Sequence, residues 1–385
     1  MKKGIIYIFV AILCLVSACN TSDTKQSATY QIKTQTGADY RKVISKIEII
    51  PLDTNSLAYM SELHRCHIYD NHILFHDKND ILYLFDKNGK FISNSRNRFG
   101  EGPEDYSLCF SASYNEYSHL IEVLTPTGMI TYDSLFNYMQ TLPYTFPERD
   151  NGDKIINSDY LYDVSDSHHL IFPKGFSSTS NKILLYDSQR QQFMNEIEYS
   201  IEEEGITMQE EYISNSNFVA FPYMNNSFYE IDYNKFKLSK LFTISFGDKG
   251  LTAQDIKNLP KNVDDRRRYL AHECTKYIPT RTILSGKYLF SLIKEGPLLS
   301  DFQILIFNLE NEKTVWLDMQ YDNMQFPIIE KFEGNIMYGI ITDGEVSKYV
   351  DASLLDDKSK SIVKELTEDS NYSIIKYYIN KEVLN

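Results

Sequence analysis

The sequence predicts an all-β fold, a six-bladed β-propeller, on two observations. Short apolar runs rich in Ile, Leu, Val, Tyr and Phe, cut by Asn, Asp, Gly and Ser, take the place of any long helical period. The runs also come in pairs. The first member of each pair centres on Leu74, Ile121, Ile171, Val219, Phe290 and Met337, in steps of 47, 50, 48, 71 and 47 residues. Six units of one period are the signature of a closed ring of blades. Composition agrees: with 385 residues, 42% hydrophobic and 24% charged, the chain can bury a sizeable core and is too apolar for disorder. A formal charge of −14 argues against nucleic acid, which demands clustered Lys and Arg. With 16 Gly, 11 Pro and no collagen-like period, fibrous classes are excluded too.

Residues 1–18 read as a lipoprotein signal peptide. Lys2 and Lys3 form its positive start, and Ile5 to Val16 are apolar but too short to span a bilayer as a stable helix. The stretch ends Leu15-Val16-Ser17-Ala18-Cys19, which resembles a bacterial lipobox, so Cys19 is the expected lipid attachment site. An ordinary secretory signal that happens to contain Cys is the alternative. Cleavage would leave the body still more acidic, so acyl chains rather than a basic patch would hold it at a membrane. Residues 19–40 are the expected lipidated cysteine and flexible tether, too polar to pack. Asp23 alone follows the cysteine as an acidic cue for surface export, which leaves the periplasmic and surface faces open.

Residues 41–385 form the propeller. The second strand of a pair tends to end in an acid or amide at a turn: Asp86, Asp133, Asp187, Asp232 and Asn308. A third strand then leaves the turn at Lys90 to Ser93, Tyr138 to Leu142 and Leu238 to Phe246. The 71-residue step contains a helical insertion near 251–275, and a short amphipathic helix is expected near 352–367. An open ring would expose strand edges, so the last blade should borrow a strand from the other terminus. Val43 to Pro51 is the candidate, joining the blade of Met337 and Ile375.

Asp86-Lys87-Asn88-Gly89-Lys90-Phe91, followed by Gly100-Glu101-Gly102-Pro103-Glu104-Asp105-Tyr106, resembles the blade signature of NHL-type propellers. It is closer still to the six-bladed β-propeller lipoproteins of Bacteroidetes. Asp105 stands where that family usually has Glu, and Phe136 and Arg190 occupy the turn-glycine place in later blades. The resemblance implies a rigid disc in the cell envelope and no particular ligand.

The densest cluster of metal-ligating types is His64, Cys66, His67, His72, His76 and Asp77. His72 and His76 would share a strand face yet lie about 13 Å apart at ~3.3 Å per residue, too far for one ion. No metal site is assigned. His168 and His169 are adjacent, so on a strand at most one faces a given site. Glu202-Glu203-Glu204 and Glu210-Glu211 read as a solvated loop, and Asp264-Asp265-Arg266-Arg267-Arg268 as charges paired along a helix or an anion holder. Cys66, Cys109 and Cys274 are expected as buried thiols, with a Cys66–Cys109 disulfide the alternative. The 29 Tyr and 22 Phe, with Trp316 the one Trp, could stack on sugars or simply pack strands.

No catalytic motif is present, so no catalytic residue and no cofactor is assigned. The function expected is that of a non-catalytic envelope lipoprotein whose propeller binds a glycan, a peptide or an outer-membrane protein partner, with the membrane reached through the lipid anchor. The rival is a propeller-type hydrolase or lyase, in which acids and histidines of 64–77 and 264–273 would meet in one cleft. A structural assembly partner is the third reading, and it requires an apolar patch on one face.

Overall fold

The structure, a computed structural model, describes residues 28–385 except 36, 145–157, 174–180, 200–212, 215–217, 221–225, 233–234, 297–301, 343–344 and 368. The signal peptide, Cys19 and both glutamate runs lie outside the described residues.

Two strands, β1 (Ala28–Gln31) and β2 (Ile44–Pro51), precede the blades. Blade 1 is β3 (Leu63–Ile68), β4 (His72–Asp77), β5 (Leu82–Asp86) and β6 (Phe91–Asn94). Blade 2 is β7 (Ser111–Asn115), β8 (Leu120–Leu124), β9 (Gly128–Tyr132) and β10 (Tyr138–Pro143). Blade 3 is β11 (Ser158–Asp163), β12 (His168–Pro173), β13 (Asn181–Asp187) and β14 (Gln192–Tyr199). Blade 4 is β15 (Ile213–Ser214), β16 (Phe218–Ala220), β17 (Ser227–Asp232) and β18 (Lys237–Ser245). Blade 5 is β19 (Ile278–Ser285), β20 (Tyr288–Lys294), β21 (Phe302–Asn308) and β22 (Thr314–Asp318). A two-stranded hairpin, β23 (Gln320–Tyr321) with β24 (Met324–Gln325), leads into blade 6: β25 (Ile329–Glu333), β26 (Ile336–Ile341) and β27 (Ser373–Ile379). The six centres of the sequence repeat are the second strands of the six blades.

The ring closes as the sequence predicts. β2 pairs antiparallel with β27, Ile49 opposite Ile375 and Ile47 opposite Tyr377, and becomes the outermost strand of blade 6. Its free edge is then covered. Ile47 N–H donates to Leu354 O at 2.8 Å, and Ile49 N–H to Ser359 Oγ at 3.0 Å. Ser359 sits on the helix Asp357–Glu365, so the predicted helix near 352–367 protects an exposed strand edge.

Residues 28–33, within the expected tether of residues 19–40, dock on the propeller. β1 adds to blade 4 as a fifth strand, parallel to β18, and Tyr30 packs edge-on against Phe242 and Phe307 at 5.8 and 5.2 Å. Ile32 is buried, and Trp316 Nε1–H donates to Lys33 O at 3.0 Å. Two apolar side chains and an open sheet edge outweigh the polar composition of the stretch. Trp316 is itself buried, so it packs rather than presenting a sugar platform.

The acid or amide at the end of the third strand of blades 1 to 5 is a turn device. Asp86 Oδ1 accepts from Asn88 N–H and Lys90 N–H at 2.8 and 3.0 Å. Asp133, Asp187, Asp232 and Asn308 accept in the same manner. Gly89 has φ +84°, and a Cβ there would stand 2.1 Å from Pro51 O. Phe136 takes the equivalent left-handed position at φ 58°, but in blade 3 that position falls to Gln191 and not to Arg190, because the turn is one residue longer. The Gly100–Tyr106 motif folds back on itself: Tyr106 N–H donates to Arg98 O and Gly100 N–H to Tyr106 O, both at 3.0 Å. Tyr106 is buried between blades 1 and 2, its hydroxyl donating to Asp80 O at 2.8 Å.

Candidate functional site

In each antiparallel blade the first-to-second and third-to-fourth connections share one face of the disc, here short turns. The other face carries the long connections. Three features across these faces can act on a ligand.

The first is a cleft of about 530 Å³ on the short-turn face, at the seam of blades 6 and 1. Glu48, Asp70, Lys331, Glu333, Tyr338 and Lys376 supply its polar wall. Lys376 faces Glu48 on β2 and Tyr338 on β26 in strand register. Most of these charges are committed. Lys331 Nζ pairs with Asp70 and Glu333, both at 3.1 Å, and Glu48 takes Lys46 and the Tyr378 hydroxyl. Lys376 is the exception: among the described residues its ammonium has no ion pair or hydrogen bond and lies over the Tyr338 ring, 5.4 Å from the centroid. Burial lowers its pKa; Glu48 opposes that shift, and the neighbouring Lys46 and Lys331 add to it.

The second is buried at the seam of blades 2 and 3. Glu122 on β8 is brought against Asp163, the last residue of β11, and His169 on β12. His169 Nδ1 lies 2.9 Å from Asp163 Oδ1 and 3.0 Å from Glu122 Oε2. The side chains are 0% (His169), 3% (Glu122) and 8% (Asp163) exposed, which excludes bulk water from the contacts. Asn115 Nδ2 donates to Glu122 Oε1 at 3.0 Å and to Ser165 O at 3.0 Å, tying the group to the turn that follows β11. Burial and Asp163 push the Glu122 carboxyl up to about 8. Burial opposes the His169 imidazolium, but the two carboxylates overcome it and its pKa rises.

The third is on the long-loop face, where Leu57, Tyr59, Phe99, Leu108 and Ile328 are exposed. The first two loops touch: Asn94 Nδ2 donates to Leu57 O and Arg96 Nη2 to Tyr59 O, each at 2.7 Å.

The sequence-predicted candidates fall elsewhere. His72 and His76 stand at the two ends of β4. His72 packs on Tyr114 with centroids 4.2 Å apart, and His76 Nε2 meets Asp80 Oδ1 at 2.8 Å. Asp77 Oδ1 accepts from Asn79 N–H and Ile81 N–H at 2.9 and 3.0 Å, a turn role. His64 meets His76 edge-on, and His67 leans on Tyr69. Cys66, Cys109 and Cys274 are buried thiols in separate apolar clusters, and burial pushes the Cys109 thiol up.

The helical insertion consists of Ala253–Lys257, started by a capping box of Thr252 and Asp255, and Val263–His272. Arg268 pairs with Asp265 along the second helix, and the buried Arg266 donates to Pro260 O at 2.7 Å and Lys261 O at 3.1 Å. Residues 64–77 belong to blade 1 and 264–273 to the connection between blades 4 and 5, so the two groups required by the enzyme reading do not form one cleft.

Sequence reasoning missed Glu122, Asp163 and Lys376. Glu122 is a lone acid in an apolar run, Leu120-Ile121-Glu122-Val123-Leu124, which was the one usable signal; Asp163 has Asp159 and Asp166 near it and gave none. It also missed the buried Lys294, whose Nζ donates to Leu270 O at 2.6 Å and ties the insertion to blade 5.

A family model described as a domain of unknown function, DUF4934, matches residues 25–378. The chain belongs to the DUF4934 family. A Bacteroides fragilis protein described as exported is similar in structure, with TM-score 0.61 and 15% identity over 92% of this chain and 100% of that one. A DUF4221 family member from Bacteroides vulgatus follows, with TM-score 0.52 and 10% identity over 87% of this chain and 98% of that one. At these identities the likeness establishes the fold. No curated protein matches the sequence. Among the described residues, no helix is long and apolar enough to cross a membrane.

Proposed function

We propose that this DUF4934 propeller is an exported lipoprotein, anchored through Cys19 in the outer membrane, that binds a glycan, peptide or partner protein without transforming it. The lipobox-like Leu15-Val16-Ser17-Ala18-Cys19 supports the anchor, and the exported Bacteroides fragilis neighbour supports the address. The blade-1 turn motif supports kinship with NHL-type propellers of Bacteroidetes lipoproteins. The observation that carries the binding reading is the open cleft between blades 6 and 1, with the unpaired Lys376 on its wall. A cleft of about 530 Å³ accommodates a small ligand. A lysine without a protein counter-ion favours a ligand bearing a carboxylate, such as an acidic sugar or a peptide C-terminus.

The test is a thermal-shift screen of residues 27–385 against uronate-containing and neutral oligosaccharides, and against peptides with free and amidated C-termini. A ligand that binds only the folded state raises the melting temperature. An upward shift confined to the carboxylate-bearing ligands and lost in Lys376→Met supports the reading. A shift that Lys376→Met leaves unchanged moves the site elsewhere, and product formation would convert the binder into an enzyme. Cys19→Ala should release the protein from the membrane fraction.

The exposed Leu57, Tyr59, Phe99 and Leu108 favour a second reading, a partner in an outer-membrane assembly. Co-purification of one envelope protein, abolished by Tyr59→Ser with Phe99→Ser, would support it.

A further inference from the structure

Three donors of mixed chemistry, an imidazole nitrogen and two carboxylate oxygens, converge at the seam of blades 2 and 3, and among the described residues they are the one such group with all ligand atoms within 4.8 Å. The contacts around His169 Nδ1 are unequal. Nδ1 is hydrogen-bonded to Asp163 Oδ1, whereas Glu122 Oε2, 3.0 Å from the same nitrogen, is buried with no hydrogen-bond partner. One ring N–H cannot satisfy two carboxylates at once. The second carboxylate therefore presents a buried, unpartnered oxygen to the point where the other two donors meet.

We propose that Glu122, Asp163 and His169 form a binding site for a divalent first-row transition metal ion that pins blade 2 to blade 3. Charge and donor type carry the choice. With a neutral imidazole the three donors bear two negative charges, which a divalent cation cancels. Separations of 2.9 and 3.0 Å between Nδ1 and the two oxygens suit neighbouring ligands about 2.1 Å from one ion at angles of about 90°, and the donors would have to open to about 3.4 Å to reach tetrahedral spacing. An imidazole donor favours zinc, iron, nickel or copper over magnesium and calcium, which prefer all-oxygen sites. Asn115 supplies an outer contact: by donating to Glu122 Oε1 it leaves Oε2 directed at the site. The site lies between different blades from the Lys376 cleft, so each stands or falls alone. Burial assigns the ion a structural role, since little of it could be reached by a substrate.

The test uses the untagged full chain in detergent, stripped with EDTA and dialysed. The expected result is saturable uptake of one Zn²⁺ per chain by calorimetry, visible ligand-field absorption with Co²⁺, and a rise in melting temperature with Zn²⁺ that Mg²⁺ and Ca²⁺ do not give. Glu122→Gln and Asp163→Asn, near-isosteric changes, should weaken Zn²⁺ at least about tenfold. Absence of saturable Zn²⁺ and Co²⁺ binding by the wild-type chain would overturn the proposal, whatever the variants do. So would undiminished binding in both variants, or a Zn²⁺-independent gain in stability on Glu122→Gln with no metal bound, the mark of a proton-balanced ion cluster.

Discussion

Two seams near the same face of the disc treat charge in opposite ways. Blades 6 and 1 part around an unpaired lysine, whereas blades 2 and 3 close over two carboxylates and one imidazole. Water makes the difference. Lys376 stands at the wall of an open cleft, where solvent screens an ammonium and the absence of a counter-ion costs little. Glu122 and His169 have no such relief, so a charge on any of the three groups there depends on its neighbours. An open seam can carry an unbalanced charge as a recognition element. A closed seam can carry it only with a partner.

The largest expected effect comes from opening the closed seam chemically. His169→Ala removes the group between two buried carboxylates and should destabilise the protein by roughly 3–5 kcal/mol, read from denaturant midpoints. A loss below about 1 kcal/mol would mean that the seam is as wet as the cleft, and the contrast would disappear. The cleft rim offers a backbone test of comparable size. Gly89→Ala places a Cβ against the Pro51 carbonyl at positive φ and should cost roughly 2–4 kcal/mol. Gly334→Ala is its control, at φ +59° with open space around the Cβ position, and should cost about 1 kcal/mol. Equal losses would show that the closing strand β2 yields to the added methyl.

A third charged locus lies between these extremes. Asp351 is partly buried, and burial alone would raise its pKa. Hydrogen bonds from Ser353, Tyr40 and Arg41 overcome that and lower it to about 2. The depressed folded pKa fixes the sign: the stabilisation is complete above the ordinary value of 3.8 and is lost as pH falls through about 2. With its solvent contact discounted, the effect is on the order of 1 kcal/mol. Asp351→Asn should flatten the acid limb of a stability–pH curve between those values, and an unchanged curve would discard the assignment.

The sequence carried the fold because propeller geometry repeats. The spacing of Leu74, Ile121, Ile171, Val219, Phe290 and Met337 marks equivalent strands, and Ile47 and Ile49 mark the closing one. The recurring Asp or Asn at strand ends was legible for the same reason: each accepts from its own turn. Neither candidate site was legible, because each is assembled once across a seam. Glu122 and His169 are 47 residues apart in sequence and meet only when blades 2 and 3 pack. The histidines of 64–77 are close along the chain yet do not gather at one point: His72 packs on Tyr114 and His67 on Tyr69, while His64 meets His76 edge-on. Tyr30 and Ile32 show a further limit, since a polar stretch needs only two apolar side chains to dock when a sheet edge is open beside it.

The smallest stability effect separates the seams most cleanly. Lys376 is half-buried without a counter-ion, and its folded pKa lies below the ordinary 10.5. The unfolded chain therefore holds a proton more tightly than the fold does, so below the folded pKa this lysine slightly opposes folding. Wild-type stability should climb as pH rises through the folded pKa toward 10.5, and Lys376→Met should lose that climb. At neutral pH the variant should match the wild type or exceed it by about 0.5 kcal/mol, in thermal melts without ligand. A variant destabilised by more than about 1 kcal/mol would show that the ammonium is engaged by the protein itself, and the cleft would lose its claim to an anionic ligand. A stable variant that no longer responds to carboxylate-bearing ligands would instead leave Lys376 with no structural duty, which is the condition expected of a residue kept for binding.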